Sequence, residues 1–448
     1  MNRRDFTYRM AGALGALSVG DLRLLRDDPR AWNPVPPQGH AALRLNGDRI
    51  GQQLMALAEF GKNPYGGVSR VAYTEFDKQG RAYVMGLMRE AGLEVSVDLA
   101  GNILGKRAGS DPSKKVLLFG SHIDSVPDGG NYDGDVGVLA SIEAARTLRE
   151  RGITTRHPIE VVIFQNEEGG TVGSRAMVGK LDASALDQVS VSGKTFRDGI
   201  TFLGGDPTKL TAPLRKPGDV AAYVELHIEQ GGSLEADKVN IGVVEGIVGI
   251  GWWDVTIDGF GNHAGTTPMN ARRDALLAAA KYVEMVNRVV TSEQGRQVGT
   301  VGKMHAHPGA RNVIPGKVET SLEIRDLDQA KIRRLAQVVM SEARQIGAQS
   351  NTTFTFTENY LSTPALMNPM VQKAVESSAK GIGLSARYQP SGAGHDAQYM
   401  AQLAPSAMIF CPSVDGVSHS PKEYTKPEDV TNGANVLLQT ILALDSSL

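Results

Sequence analysis

Four segments of the chain carry side chains of the types that hold divalent metal ions. The first is Gly120-Ser-His-Ile-Asp-Ser-Val-Pro-Asp-Gly-Gly-Asn-Tyr-Asp-Gly-Asp135. In it His122 offers a nitrogen ligand, and Asp124, two positions on, can accept from the other imidazole nitrogen and fix the tautomer. Asp133 lies in a glycine-flanked turn, where its carboxylate could bridge two ions. The second segment, Phe164-Gln-Asn-Glu-Glu-Gly-Gly170, sets two carboxylates side by side. They repel, and such a pair is costly unless a cation or a proton compensates. Beside a metal, one glutamate can ligate while the other works as a general base. His227 sits in Tyr223-Val-Glu-Leu-His-Ile-Glu-Gln-Gly231, and His419 in Ser418-His-Ser-Pro-Lys-Glu423. Taken singly, these read as a polar turn, a solvated acidic turn and two ordinary histidines. Taken together, they make an oxygen and nitrogen ligand set without thiolate, suited to Zn, Mn, Co or Ni.

The elements around these segments explain how they could meet. Lys115–Phe119 and Ile159–Phe164 are short continuous apolar runs, as expected of strands shielded on two faces. Between them Val138–Arg151 has helical periodicity, so the segment is a strand–helix–strand unit of a parallel sheet. Each candidate ligand falls at or beyond a strand end, where ligands bind in open α/β sheets. Helices are predicted over 48–58 and 77–91. From 240 to 357 the pattern changes to strand (Trp252–Asp258), helix (Asp274–Val290), strand (Gln297–His305), strand (Lys317–Arg325), helix (Ala330–Ala348) and strand (Thr352–Thr357). That βαββαβ order predicts a ferredoxin-like α+β module inserted into an α/β domain. The α/β pattern resumes from 358, with a helix over 368–382 and a strand at Ala407–Phe410.

Composition limits the alternatives. The chain has 448 residues, 41% of them hydrophobic and 21% charged, with a net charge of −2. That balance gives no basic field for nucleic acid or an anionic membrane, and no segment is long and apolar enough to span one. The single cysteine, Cys411, excludes an internal disulfide and a cysteine-based zinc site, and reads as a small core residue. His305 and His307 fit no ligand pattern and read as exposed strand-end residues. Arg3-Arg4-Asp5-Phe6 resembles a twin-arginine export signal, followed by a Pro-rich linker over 27–40. An uncleaved cytoplasmic extension is the alternative reading.

The motifs quoted above resemble those of the M20 metallopeptidase-like amidohydrolases. They are most similar to the subgroup of N-carbamoyl-L-amino acid hydrolases, β-ureidopropionases and allantoate amidohydrolases, from about residue 45 onward. His227 within Glu-Leu-His-Ile-Glu-Gln-Gly is that subgroup's mark. The resemblance implies a zinc-peptidase-like α/β catalytic domain (41–239 and 358–448) and an inserted ferredoxin-like dimerisation or lid domain (240–357). It implies two divalent ions sharing Asp133, one completed by His122 and His227, the other by Glu168 and His419. It makes Glu167 the general base, with Asp124 beside His122. In Gly261-Asn-His-Ala-Gly-Thr-Thr-Pro-Met269, His263 would steady the oxyanion across a homodimer. Asn312 and Arg325 would hold the carboxylate of a small substrate, with Gln230 and His395 as further pocket contacts. One departure stands out: Glu167-Glu-Gly-Gly-Thr-Val-Gly-Ser-Arg175 is shorter than the subgroup's stretch and lacks its Arg-Phe, which leaves the identity of the substrate open. The reaction implied is cleavage of a linear amide or ureido C–N bond, most simply of an N-carbamoyl-L-amino acid. Allantoate amidohydrolase, β-ureidopropionase and N-acyl amino acid amidase are the enzyme alternatives, and a non-catalytic metal-binding protein is the remote one.

Overall fold

The computed structural model describes residues 43–448, so the Arg3-Arg4-Asp5-Phe6 run and the 27–40 linker lie outside the described residues. The described chain begins with α1 (Gly47–Ala58) and α2 (Glu75–Glu90), capped by the side chains of Asn46 and Thr74. β1 (Glu94–Val97), β2 (Ile103–Arg107), β3 (Val116–His122), α3 (Asp135–Glu150), β4 (Ile159–Phe164), α4 (Val172–Met177), β5 (Val220–Ile228) and β6 (Ile241–Ile247) follow. A second group comprises β7 (Gly249–Asp258), β8 (Asn262–His263), α5 (Ala275–Thr291), β9 (Val298–Thr300), β10 (Met304–His307), β11 (Val313–Ile314), β12 (Lys317–Asp326), α6 (Gln329–Ser350) and β13 (Thr353–Leu361). The last group is β14 (Ala365–Leu366), α7 (Pro369–Gly381), β15 (Ala386–Ser391), α8 (Ala397–Leu403), β16 (Ser406–Cys411) and α9 (Pro427–Ser447).

The first and last groups build one nine-stranded mixed sheet, ordered β1-β2-β4-β3-β5-β16-β6-β14, with β15 also on β6. Its centre, β4-β3-β5-β16, is parallel. Every residue of β4 is buried, as the apolar run predicts for a strand covered on both faces. One face is packed by α1, α3, α7 and α9 through Leu54, Ile142, Val375 and Leu438. The other carries Met177 of α4 and Met400 of α8 against Phe164 and Tyr223. Cys411 is buried in the core, as expected. Among the described residues no helix is long and apolar enough to cross a membrane.

The second group forms an antiparallel sheet ordered β10-β12-β7-β13, with β9 also pairing with β12. Along β7, Trp253, Val255 and Ile257 point into a core shared with α5 and α6, while Trp252, Asp254 and Asp258 are exposed. Three expectations need correction. The strand predicted over Gln297–His305 is two strands, β9 and β10, because the Ser321 hydroxyl takes Gly302 N and Thr320 donates to the Lys303 carbonyl where ladder bonds would be. β6, which a boundary at 240 gives to the insertion, pairs with β14, β15 and β16 in the large sheet because its apolar residues complete that core. The second sheet therefore starts at Gly249, and it ends at Leu361 rather than Thr357.

Candidate metal centre

His122 ends β3, His227 lies next to the last residue of β5, and the Glu167–Glu168 turn follows β4. His419 comes from the loop after β16, and Asp133 from the turn that leads into α3. Four adjacent parallel strands thus deliver their C-terminal ends to one place. The turn at Gly134 has φ 70, and a Cβ there would stand 2.6 Å from the His122 ring, so only glycine lets Asp133 come this close. Asp133 Oδ1 lies 3.0 Å from His227 Nε2 and 3.5 Å from His122 Nε2. Its other oxygen, Oδ2, lies 3.4 Å from His419 Nε2, which is 3.5 Å from Glu168 Oε2. Within each of these two triads the ligand atoms all lie within 4.8 Å of one another. Asp133 therefore offers one oxygen to each triad, and Glu167 belongs to neither, with Oε2 3.8 Å from His122 Nε2.

Two hydrogen bonds decide what these groups can do. His122 Nδ1 lies 3.0 Å from the Asp124 carbonyl and His227 Nδ1 3.0 Å from the Ile228 carbonyl. An acceptor at Nδ1 puts the proton there in the neutral ring and leaves a lone pair at Nε2. Two lone pairs and a carboxylate oxygen then converge, which a cation or a proton must relieve. Glu168 Oε1, too, is buried without a hydrogen-bond partner. The electrostatics agree. Burial drives Glu167 far above the usual carboxylate range, against His122 and reinforced by Asp396, Glu168 and Asp124. Glu168 is pushed up to about 7 by burial and by Asp133. Burial would also raise Asp133, but His227, His122 and His419 hold it well below its ordinary value. His419 is raised to about 9, chiefly by its contact with Asp133. The donor set fits divalent metal ions.

Metal uptake must then expel protons. His419 and Glu168 both have raised values, so each holds a proton that has to leave. Affinity at the Asp133–Glu168–His419 triad should rise about tenfold per pH unit between about 7 and about 9, and more steeply below 7. Chelator competition across that range reads the slope directly, and a flat profile would remove these two groups from the binding equilibrium.

Other expectations meet a mixed outcome. Asp124 does not fix His122 through its carboxylate, whose Oδ1 is 3.9 Å from Nδ1. That carboxylate accepts instead from Glu167 N at 3.1 Å and Glu168 N at 3.2 Å, so it shapes the glutamate turn, while its carbonyl orients the histidine. The strand ends before Asp124, which turns the side chain toward the neighbouring β4 loop. Gln230 reaches the centre, its Nε2 2.6 Å from Asp133 Oδ2. His395 is buried, with its ring 4.4 Å from that of His227. Both line a cavity of about 1080 Å³ with Glu167, Glu168, Asp133 and His419. Its lining also includes Val248, Ile250, Tyr360 and Leu366. Sequence reasoning missed Glu225, which is near the centre but already takes bonds from Ser121, Tyr223 and Ala397 N, and so needs no cation. It also missed Arg70, whose buried guanidinium bonds the Ile123 carbonyl beside His122.

His263 and Asn312 lie together on the β8–β11 ribbon, exposed and outside the cavity lining. His263 Nδ1 accepts from Gly265 N and Thr266 N, at 3.0 and 3.1 Å, which puts the proton on Nε2. Arg325 does not reach the metal cavity: its fork is taken by Glu323 at 2.9 and 3.0 Å and by the Gly392 carbonyl at 2.7 Å. Glu323 lies two residues away on the same face of β12, which the spacing alone could have shown. Arg325 lines an adjoining cavity that shares Gln230 and Ala393 with the first. His305 and His307 are exposed on β10, as expected.

Known proteins place the chain. The model of peptidase family M20/M25/M40 matches residues 118–443. The chain is 43% identical over 406 residues to the N-carbamoyl-L-amino acid amidohydrolase of Geobacillus stearothermophilus, covering 89% of this chain and 99% of that one. It is 34% identical over 399 residues to the allantoate amidohydrolase of Escherichia coli (strain K12), covering 87% and 95%. The crystal structure of a hydantoinase/carbamoylase family amidase from Burkholderia multivorans is similar with a TM-score of 0.85 at 38% identity, over 90% of this chain and 98% of that one. Likeness of this extent runs through both sheets, and the chain belongs to the M20/M25/M40 peptidase family.

Proposed function

We propose that this protein is a metal-dependent amidohydrolase that cleaves the ureido C–N bond of N-carbamoyl-L-amino acids. The observation that carries the reading is the split Asp133 carboxylate, one oxygen for each of two triads, with Glu167 left free beside them. The relatives named for N-carbamoyl-L-amino acid amidohydrolysis support the substrate. Two divalent ions held by the triads, of Zn, Mn, Co or Ni, would supply an activated water and polarise the scissile carbonyl. Glu167 takes the water's proton as its oxygen adds to the carbonyl carbon, then gives that proton to the leaving nitrogen as the C–N bond breaks. The short turn between Glu168 and α4 places Gly170 and Thr171 on the cavity wall, where α4 adds Arg175, and this bears on which side chain fits. The test is metal-stripped enzyme with each ion added back, assayed on N-carbamoyl, N-formyl and N-acetyl amino acids, allantoate and ureidopropionate. Turnover should vanish on stripping and return with a divalent ion, fastest on N-carbamoyl-L-amino acids; full activity without metal would end the reading.

Residues 249–361 serve, on this reading, as a dimerisation and lid domain. Support comes from α5, whose Leu276, Leu277 and Val283 are exposed, as are nearby-in-sequence Phe260 and Met269. His263, with its proton on the outward Nε2, would donate to the oxyanion in the neighbouring subunit, and Asn312 and Arg325 would bind the substrate carboxylate once Glu323 is displaced. Mixing inactive His263→Ala with inactive Glu167→Gln subunits should restore part of the activity; verified mixed dimers without recovery would exclude action across the dimer. Arg325→Ala should lower kcat/KM about 10–100-fold on carboxylate substrates and far less on an amide-capped analogue. Equal losses on both would assign Arg325 to its Glu323 pair alone. The Arg3-Arg4 segment points to twin-arginine export with cleavage between residues 20 and 40, which N-terminal sequencing from the native host decides.

A further inference from the structure

Glu423 lies four residues after His419 and is buried, yet the hydrolytic reading gives it no role. Its two oxygens face two different ligand loops. Oε1 accepts from Tyr132 N and Asp133 N, both at 3.0 Å. Oε2 accepts from the Ser418 hydroxyl at 3.0 Å and from His419 N at 3.3 Å. The same Ser418 hydroxyl lies 3.2 Å from Asp133 Oδ2, so its one hydrogen is shared between the two carboxylates. The Asp133 turn and the His419 loop are nearly 290 residues apart in sequence and share no strand pairing. Glu423 is thus a brace with one arm on the main chain of the Asp133 turn, whose carboxylate serves both triads, and one arm on the loop of a ligand of the second triad only.

Two further features show that the brace is built in. His419 has φ 52, in the left-handed region that costs a side-chain-bearing residue, and the bond from its N–H to Glu423 helps hold it there. On the other side, a Cβ on Gly130 would lie 2.2 Å from Glu423 Oε1 and 2.4 Å from its Cβ and Cδ. The backbone at residue 130 must therefore stay bare for the carboxylate to enter.

We propose that Glu423 is a positioning residue that sets His419 against Asp133, and so fixes the affinity of the second metal ion separately from the first. The inference rests on the two-ion reading above. A glutamine at 423 could keep its amide oxygen toward Tyr132 N and Asp133 N. Its NH₂ would then face another N–H at His419, so only the His419 arm is lost. The first triad, His122, Asp133 and His227, keeps all its supports.

The test is metal content and stepwise affinity of the full-length protein by chelator competition with Zn or Mn. Wild type should hold two ions. Glu423→Gln should bind the first as wild type does and the second about 10–100-fold more weakly, the range for removing a partner that orients a ligand. Its activity should return as free metal is raised, and the thermal transition of the metal-stripped variant should match that of stripped wild type. Gly130→Ala, whose Cβ would crowd Oε1 on the arm to the Asp133 turn that both triads share, should instead weaken both ions. Two ions at wild-type affinity in Glu423→Gln overturn the proposal. Equal weakening of both ions in Glu423→Gln overturns it too, because that is general loosening of the site. A wild-type protein that holds no metal overturns both this inference and the function it rests on.

Discussion

Glu167→Gln should reduce kcat by about 10²–10⁴-fold with the metal content unchanged. Glutamine matches glutamate in shape, and Glu167 belongs to neither triad, so what is removed is proton transfer alone. Its main-chain N–H still bonds Asp124, so the turn should keep its conformation. Glu168→Gln, one residue away, should behave differently. It weakens the Asp133–Glu168–His419 triad, and its activity loss should shrink as metal is added. Metal analysis and kcat of the two variants, measured side by side, separate the roles; a metal-depleted Glu167→Gln with a fully loaded Glu168→Gln would reverse the assignment.

Arg70→Leu should destabilise the metal-stripped protein by about 3–5 kcal/mol. Arg70 is fully buried and spends its donors on the Ile123 carbonyl at 2.6 Å, the Leu57 and Phe60 carbonyls at 2.9 and 3.1 Å, and the Asp135 carboxylate. Leucine fills part of the volume but leaves Asp135 a buried charge without a partner. Burial already pushes Asp135 up to about 6 against the pull of Arg70. Without the arginine its value rises further, so the folded variant takes up a proton as pH falls and the deficit should shrink below neutral pH. Denaturant midpoints at pH 5.5 and 7.5 measure both effects. A loss under about 1 kcal/mol at pH 7.5 would show that water replaces the guanidinium. Because Ile123 and Asp135 flank His122 and Asp133, metal affinity should fall along with stability.

The reach of the sequence is clearest at the ligands. The segments that carry His122, Asp133, the Glu167–Glu168 pair, His227 and His419 could be singled out because they lie at or beyond strand ends, and parallel strands in one sheet must bring their ends to a common edge; that Glu168 rather than Glu167 ligates, and that Asp133 is shared, came only from the family resemblance. The apolar runs of β3 and β4 and the βαββαβ order were legible for the same reason: burial leaves a periodic mark on composition. β6 was not, since a strand between a long loop and a second sheet has no local mark of which sheet it joins. Asp124 was legible as a neighbour of the site but not in its role, because two residues of spacing do not say which way a side chain turns once the strand has ended.

What the sequence by itself determined, then, is the chemistry available: nitrogen and oxygen donors without thiolate, a spare carboxylate beside them, and strands to carry both. What only the tertiary structure decided is how those groups share protons and partners. Arg325 has a guanidinium in any reading, yet whether it is free depends on Glu323 across one pleat of β12. Glu167 and Glu168 are equal in sequence, and the fold makes them unequal by pointing one at His419 and leaving the other beside His122. Glu423 and Arg70 tie together segments far apart in the chain, and such contacts leave no local periodicity to read. The physical reason is common to all four: hydrogen bonds and ion pairs act over about 3 Å, and only the packed fold sets distances on that scale between remote residues.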